Sequence, residues 1–270
     1  MTVPIMQIAY DGSRFYGSQL QPNHPTVQSA IEKALGGLCM QEPPRILFAG
    51  RTDRGVHATG QVMTIRGGLK PPLDKAAYLV DKRLPSAIQV VAFAQGTDDF
   101  NPRSSATERT YHYVLRPGDD KNPFLDSYSL AVAAHLDFEA MRRASDMLVG
   151  THSFLSFATS PSEQVRITRE LRSISFHQTD NRMVIEFKAR AFLRGQIRNI
   201  MGALLTVGEG KCDLEYIAAL LAAKEKSNVP KPAPPVGLYL SSVQYPEELF
   251  QSPFELLNGR QKGLDPLLFA

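Results

Sequence analysis

Residues 48–58 of this 270-residue chain read FAGRTDRGVHA. The stretch places Asp53 between two arginines, Arg51 and Arg54, and a glycine stands on each side of the charged group. An apolar run precedes it and the alternating run 61–65 follows it, which is typical of a strand, a tight loop and a second strand. Because glycine adopts backbone angles that other residues avoid, such a loop can hold a side chain in an unusual direction. The stretch therefore predicts a turn that presents one carboxylate.

Two interpretations fit the Asp53 loop. Neighbouring guanidinium groups favour the ionised form of a carboxylate, and an ionised Asp can act as a nucleophile or an electrostatic stabiliser but seldom as a general acid. In an arbitrary chain, a buried Arg–Asp pair that fixes a turn is the commoner arrangement. The residues of the loop alone leave both interpretations open.

The composition limits the class of protein. With 43% hydrophobic residues, the chain can form one sizeable core or two small domains. The net charge is only +3, which permits a polyanionic partner without requiring one. The basic residues gather in several clusters, and the clusters used below lie around Arg51, Arg103 and Arg198.

The cysteines and histidines carry no metal or disulfide pattern. The 2 cysteines, Cys39 and Cys212, lie far apart, and the 6 histidines show no ligand spacing, so we expect neither a disulfide framework nor a bound metal. The N-terminus lacks the pattern of a signal peptide, and no apolar run is long enough to cross a bilayer. We therefore expect a cytoplasmic protein with no membrane partner.

The first part of the chain predicts a β-α-β-β-α-β order. Thr26 is expected to cap one helix and Pro72 to begin another, and 88–93 is expected to form the closing strand. This order is that of a ferredoxin-like half, which we assign to residues 1–104.

The remainder, residues 105–270, again mixes strands and helices, so we predict a second α+β half. A hairpin is expected within 171–187, and Gly150 to Ser153 is expected to be a turn. The expected fold class is α+β, with two ferredoxin-like halves whose antiparallel or mixed sheets join around a basic central cleft.

Besides the Asp53 loop, four segments carry recognisable motifs. They begin at Tyr10, Phe100, Phe192 and Pro234 and read YDGSRFYGSQLQ, FNPRSSATERTYHY, FLRGQIR and PPVGLYL. In this order the five segments resemble the tRNA pseudouridine synthase A family, and the Asp53 loop is similar to the family's active-site motif. Any one of the five is only moderately specific by itself, but five in order are highly specific.

The resemblance implies an enzyme that isomerises uridine to pseudouridine in the anticodon stem-loop of tRNA, at positions 38, 39 or 40. It implies no metal and no small-molecule cofactor. It also implies a homodimer in which one tRNA touches both subunits.

The resemblance assigns roles to individual residues. The target base must first be flipped out of the RNA. Asp53 would then be the nucleophile that forms a transient covalent adduct, and the sequence leaves open whether it attacks the uracil or the sugar. Arg198 would keep Asp53 ionised, and Tyr111 would stack on the uracil and help to move the C5 proton. The residues expected to bind the RNA substrate are Arg51, Arg103, Leu238 and Tyr111.

Each of these assignments has an alternative in which the residue has only a structural role. Tyr111 and Tyr113 alternate on one strand, so one of them is expected to be a core residue. Arg198 on an apolar helix can extend to the surface, and Leu238 in a strand is by default a core residue. We expect His57 to hold the loop through hydrogen bonds, because the isomerisation needs no histidine general acid.

The chain departs from the family pattern at three places. Arg54 stands where many relatives carry a small residue, Pro102 where they often carry Ala, and Gly195–Gln196 replaces a commoner polar or His-Met pair. These departures bear on the choice of uridine more than on the reaction.

Two other classes of function remain open from the residues. The first is an RNA-binding module without catalysis, although the presence of Asp53, Arg51, Tyr111 and Arg198 argues against it. The second is a metal-dependent hydrolase with an aspartyl intermediate. Its metal would need a carboxylate cluster such as Asp98–Asp99 or Asp119–Asp120, and both pairs are typical of solvated turns.

Overall fold

The computed structural model describes residues 2–118, 120–159, 166–179, 181–223 and 231–259, and these form an α+β fold. No helix in the described part of the chain is long and apolar enough to span a membrane. The strands are β1 (Val3–Tyr10), β2 (Arg45–Phe48), β3 (His57–Arg66), β4 (Ile88–Gly96), β5 (Glu108–Pro117), β6 (Leu130–Val132), β7 (Gly150–Ser153), β8 (Thr168–Thr179), β9 (Arg182–Ala189), β10 (Leu238–Gln244) and β11 (Glu255–Leu256). The helices are α1 (Val27–Leu35), α2 (Leu73–Arg83), α3 (Phe138–Asp146), α4 (Gln196–Gly208) and α5 (Leu214–Ala222).

The chain divides into two compact units. Of the described residues, the first unit holds those up to Arg109 together with 239–259, and the second holds those between Thr110 and Leu238. The division falls close to the expected boundary after residue 104. The C-terminal segment, which the sequence analysis placed in the second half, belongs instead to the first unit.

The first unit shows the β-α-β-β-α-β order that the sequence predicts. Its sheet has the strand order β11-β4-β1-β3-β10, and β2 pairs with β3 beside this path. The strand β1 is antiparallel to both β3 and β4, whereas β10 joins β3 in parallel register. The helix α2 packs on β4 and on α1.

Helix α1 begins where the sequence predicts. The Thr26 hydroxyl accepts a hydrogen bond from the Ser29 backbone N–H at 3.1 Å, and the Ser29 hydroxyl accepts one from the Thr26 N–H at 3.0 Å. This reciprocal capping box satisfies two backbone donors that the first turn of a helix leaves open. Pro72 precedes α2, as expected, although no side chain caps that helix.

The core of the first unit explains why the C-terminal segment joins it. Phe100 is fully buried, and the ring of Phe250 lies 5.5 Å from it, centroid to centroid. Tyr245 packs against the same phenylalanine at 4.9 Å, and its hydroxyl donates to the Pro102 carbonyl at 2.8 Å. Apolar contact and hydrogen bonding therefore hold the segment after β10 against the residues that follow β4.

The second unit has the strand order β5-β9-β8-β7, with β6 parallel to β5. The expected hairpin is present as the antiparallel pair β8 and β9, and Asp180 in its turn lies outside the described residues. The expected turn at Gly150–Ser153 is wrong, because these residues form β7 and pair with β8. Helices α3 and α4 pack on each other, and α4 is buried along most of its length.

We expect Phe100→Ala to lower the free energy of unfolding by about 3–5 kcal/mol, since it leaves a cavity where the C-terminal segment packs. Urea denaturation followed by fluorescence or circular dichroism would measure the change. Phe124→Ala is the matched control, because that ring is 84% exposed, and its effect should stay within about 0.5 kcal/mol. Equal stability of the two variants would contradict this view of the core.

Candidate active site

The Asp53 loop lies against two glycines of the segment after β1. A Cβ atom built on Gly12 would lie 1.9 Å from the carbonyl oxygen of Val56, and one on Gly17 would lie 2.9 Å from that of Thr52. The φ angle of Gly17 is +99°, which side chains rarely allow. Glycine is therefore required at both positions for the two backbones to approach this closely.

A buried glutamine fixes the start of the loop. The side-chain oxygen of Gln61 accepts from the Gly50 N–H at 3.2 Å, and its amide nitrogen donates to the Gly50 carbonyl at 2.8 Å. The same nitrogen lies 3.4 Å from the Tyr10 hydroxyl. Because Gln61 is fully buried, these bonds compete with little water and hold the backbone two residues before Thr52.

Thr52, the residue before Asp53, is bonded through each of its polar groups. Its hydroxyl shares a 2.8 Å hydrogen bond with Tyr10, its N–H donates to the Ser18 hydroxyl at 2.9 Å, and its carbonyl accepts from the Ser18 N–H at 3.0 Å. Burial raises the pKa of Tyr10 to about 12, and its bonds to Thr52 and Gln61 only partly oppose this shift. The hydroxyl of Tyr10 therefore stays protonated at neutral pH.

His57 holds the far side of the loop, as the sequence analysis expects. Its Nδ1 accepts from the Gly12 N–H at 3.1 Å, and its ring stacks on Tyr239 with centroids 4.7 Å apart. Asp11 lies 3.4 Å from the same nitrogen. His57 therefore ties the segment after β1 to the end of the loop and to Tyr239.

Asp53 itself is half-buried at the turn that these contacts frame. Its carbonyl accepts from the Val56 N–H at 3.1 Å, and Gly55, at φ = +80°, completes the turn. Arg51 is exposed. Arg54 is also exposed, and its guanidinium lies over the ring of Tyr16. The structure therefore presents one carboxylate from a braced loop.

A second arginine cluster adjoins this loop. Arg103 is exposed in a turn that the Asn101 side chain closes, by accepting from the Arg103 N–H at 2.9 Å. The buried guanidinium of Arg109 donates to the Arg103 carbonyl at 2.7 Å and to the Ala49 carbonyl at 2.7 Å. Arg109 thus ties the Arg103 turn to the chain just before Arg51, a role that its place two residues before Tyr111 did not suggest.

In the second unit, Tyr111 and Tyr113 have different surroundings. Tyr111 is 8% exposed and meets Phe192 edge to face, with centroids 5.3 Å apart. Tyr113 is fully buried, and its hydroxyl donates to the Pro234 carbonyl. Burial raises the pKa of Tyr113, and the nearby charge of Arg198 only partly offsets it. The prediction that one of the two tyrosines is a core residue is confirmed for Tyr113.

The Arg198 side chain is held by a backbone carbonyl and does not extend freely into solvent. It is half-buried on α4, and its Nε donates to the Ala233 carbonyl at 2.8 Å. The Ala233 N–H in turn donates to the Arg198 carbonyl at 2.8 Å. The chain at Ala233 and Pro234 therefore bonds both to Arg198 and to Tyr113, which places α4 and β5 around one short segment.

Gly195 and Gln196, where the chain departs from the family pattern, both have a structural role in the turn before α4. Gly195 precedes α4 with φ = +72°, and a Cβ there would lie 2.2 Å from the Thr159 hydroxyl oxygen. The Gln196 side-chain oxygen accepts from the Leu193 N–H at 2.7 Å. Both residues therefore shape the turn into α4 that carries Arg198.

Leu238 is 4% exposed and closes the second unit. Its N–H donates to the Pro235 carbonyl at 3.1 Å, and the carbonyl of the preceding Gly237 accepts from Val114 on β5 at 2.8 Å. The expected site residues therefore form two groups. The group in the first unit holds Asp53, Arg51 and Arg103, and the group in the second holds Tyr111, Arg198 and Leu238.

No group of three or more metal-binding side chains occurs among the described residues. Of the carboxylates considered for a hydrolase, Asp99 accepts from the Thr97 hydroxyl at 2.6 Å, Asp98 is exposed, and Asp119 lies outside the described residues.

Comparison with known proteins gives a consistent family. The family described as tRNA pseudouridine synthase matches residues 6–103 and 144–246, which include Asp53 and Arg198. A tRNA pseudouridine synthase A of Oceanobacillus iheyensis is 37% identical over 241 residues, covering 89% of this chain and 95% of the relative. That of Listeria welshimeri is 38% identical over 240 residues, covering 88% and 97%. That of a Roseiflexus species is 38% identical over 246 residues, covering 90% of each.

The match extends over both units and includes the braced Asp53 loop as well as the helix that carries Arg198. The chain therefore belongs to the tRNA pseudouridine synthase family, the isomerases that convert uridine to pseudouridine in tRNA.

Proposed function

We propose that Asp53 is the nucleophile of the isomerisation and that it acts on a uridine flipped out of the anticodon stem-loop of tRNA, at position 38, 39 or 40. The reaction breaks the bond between ribose C1′ and uracil N1 and forms one between C1′ and C5. C5 then loses its proton, and N1 gains one, so the formula of the RNA is unchanged. Attack of the carboxylate on uracil C6 or on ribose C1′ is compatible with this outcome.

The observation that carries the proposal is the bracing of the Asp53 loop. Gly50 and Thr52 are fixed by Gln61, Tyr10 and Ser18, so the backbone before the carboxylate has little freedom. A nucleophile gains rate when its geometry is set before the substrate arrives. A loop that served only as a structural turn would not need this many buried polar contacts at the residue before its carboxylate.

The second group of residues supplies the other roles. Tyr111 stacks on the uracil and helps to move the C5 proton, Arg198 favours the ionised carboxylate, and Leu238 packs under the ring. These are the roles that the resemblance assigns, and the three residues lie on β5, α4 and β10.

The exposed arginines bind the RNA backbone. Arg51 and Arg103 carry guanidinium groups that reach solvent, and Arg109 links the segments on which they stand. Such contacts give affinity that falls as salt concentration rises, and they position the RNA without reading its sequence.

The proposal includes the finer architecture that the resemblance implies. The order β4-β1-β3-β2 in the first unit supports a ferredoxin-like half, and the second unit is proposed as a second half of the same kind. The enzyme works in the cytoplasm, without a cofactor, as a homodimer. Light scattering should then give twice the chain mass of 29.9 kDa, and a mass of one chain would contradict the dimer.

Asp53→Asn should abolish the release of tritium from tRNA labelled at uridine C5, because the amide cannot act as the nucleophile. We expect the rate of release to fall about 10⁴-fold or more. The variant should still retain tRNA on filters as well as the unmodified protein does. Asp74→Asn, which changes an exposed carboxylate on α2, is the matched control and should release label at the original rate.

The same assay separates the other functions. Equal release by Asp53→Asn and the unmodified protein would remove Asp53 from its role. Tight tRNA binding with no release by either protein would identify a binding module. Hydrolysis of the RNA, rather than release of label with the chain intact, would indicate the aspartyl hydrolase.

Tyr10→Phe should lower kcat about tenfold with little change in KM, because it removes the hydrogen bond that fixes the Thr52 side chain without altering the RNA-binding arginines. Steady-state kinetics with labelled tRNA would measure both constants. Tyr78→Phe removes a hydroxyl from a ring that is 43% exposed on α2, and it should leave kcat unchanged. An unaltered kcat in Tyr10→Phe would show that this bond does not position the loop.

A further inference from the structure

Beside Asp53, three flat side chains form an exposed stack. The Arg54 guanidinium carbon lies 4.2 Å from the centroid of the Tyr16 ring. The ring of His24 lies against Tyr16 with centroids 4.2 Å apart and planes 9° from parallel. Arg54 and His24 are exposed, and Tyr16 is half-buried. None of the roles assigned above uses this stack.

The backbone holds the stack in place. The Tyr16 N–H donates to the Pro25 carbonyl at 2.8 Å and closes the loop that brings His24 to the tyrosine. Asn23, just before His24, has φ = +61°, a left-handed conformation that Asn tolerates better than most residues. Gly17, the residue after Tyr16, lies against the backbone of Thr52, which stands two positions before Arg54. The stack is therefore built from both segments that frame Asp53.

The chemistry of a stacked guanidinium indicates its ligand. The guanidinium carbon of Arg54 lies over the Tyr16 ring, and a guanidinium carries five N–H donors arranged around its plane. Contact with one ring occupies only part of this set, and a phosphate accepts two of the remaining donors in parallel hydrogen bonds. The contact with Tyr16 also restricts the Arg54 side chain, which would otherwise lose much rotamer entropy on binding.

We propose that Arg54 binds a phosphate group of the substrate RNA close to the reacting uridine, and that Tyr16 and His24 hold its guanidinium in position for this contact. The inference rests on the tRNA substrate of the proposed function and adds a binding residue to it. Arg54 directly follows Asp53 in the chain, so a phosphate bound there belongs to the target nucleotide or to one next to it. The stack fixes the approach of the RNA at one edge of the carboxylate.

The salt dependence of tRNA binding tests the charge contact. Arg54→Ala, made in the Asp53→Asn background, should reduce the slope of log Kd against log salt by about 0.7–0.9 between about 50 and 200 mM salt. It should also raise Kd about tenfold at the lower concentration. Arg45→Ala is the matched control, because Arg45 is an exposed arginine at the opposite end of β2, and it should change neither quantity.

Variants of the two rings test the stack separately from the charge. Tyr16→Leu keeps Arg54 and should leave the salt slope as it is, while Kd rises about two- to fivefold because the guanidinium loses its support. His24→Ala should act in the same direction with a smaller effect. Thermal unfolding of each variant would verify that the fold is retained.

Several outcomes would overturn the inference. An unchanged slope in Arg54→Ala would exclude the phosphate contact, and a raised Kd with that unchanged slope would indicate that the guanidinium stacks on a base instead. Unchanged binding by both Tyr16→Leu and His24→Ala would exclude the supporting role of the rings. These results are independent of tritium release, so failure of the Asp53 assignment and failure of the Arg54 contact are distinguishable.

Discussion

The site in the first unit depends on a set of neutral hydrogen bonds buried beneath a charged loop. Gln61 and Tyr10 hold Gly50 and Thr52, and both are inaccessible to water or nearly so. A loop that carries three charged side chains cannot collapse into a core, because each charge must stay hydrated or paired. Its order must therefore come from the neutral residues at its base, where low polarity strengthens each bond. The two glycines of the preceding segment make this possible, since any side chain there would push the backbones apart.

Much of the fold was predictable because local signals and tertiary packing agree. Thr26 caps a helix in the structure, the β-α-β-β-α-β order is present, and the hairpin in the second unit forms as expected. The strand β7 was missed because Gly150–Ser153 contains no apolar alternation and reads as a turn. It becomes a strand only through pairing with β8, which is not a property of its own sequence.

The site was predictable in part. Motif similarity singles out Asp53, and alternation on β5 anticipates that one of Tyr111 and Tyr113 is a core residue, which holds for Tyr113. The supports were not anticipated, because they depend on how the chain folds back on itself. The buried Arg109 bonds the carbonyl of Arg103 and that of Ala49, 60 positions away, and Gln61 bonds both backbone groups of Gly50 across a turn. The only local signal was that Arg109 and Gln61 lie in β-type stretches. A polar side chain that is buried in such a stretch must find hydrogen-bond partners.

Because the C-terminal segment belongs to the first unit, that unit is completed late in synthesis. The ribosome completes residues 110–238 before it makes Tyr245 and Phe250, which pack on Phe100. The N-terminal unit thus acquires its final aromatic residues only after the whole of its neighbour has emerged. Until then Phe100 lacks part of its covering, and an incomplete chain exposes apolar surface of the kind that chaperones bind. The first unit is therefore the first to emerge from the ribosome and the last to be completed.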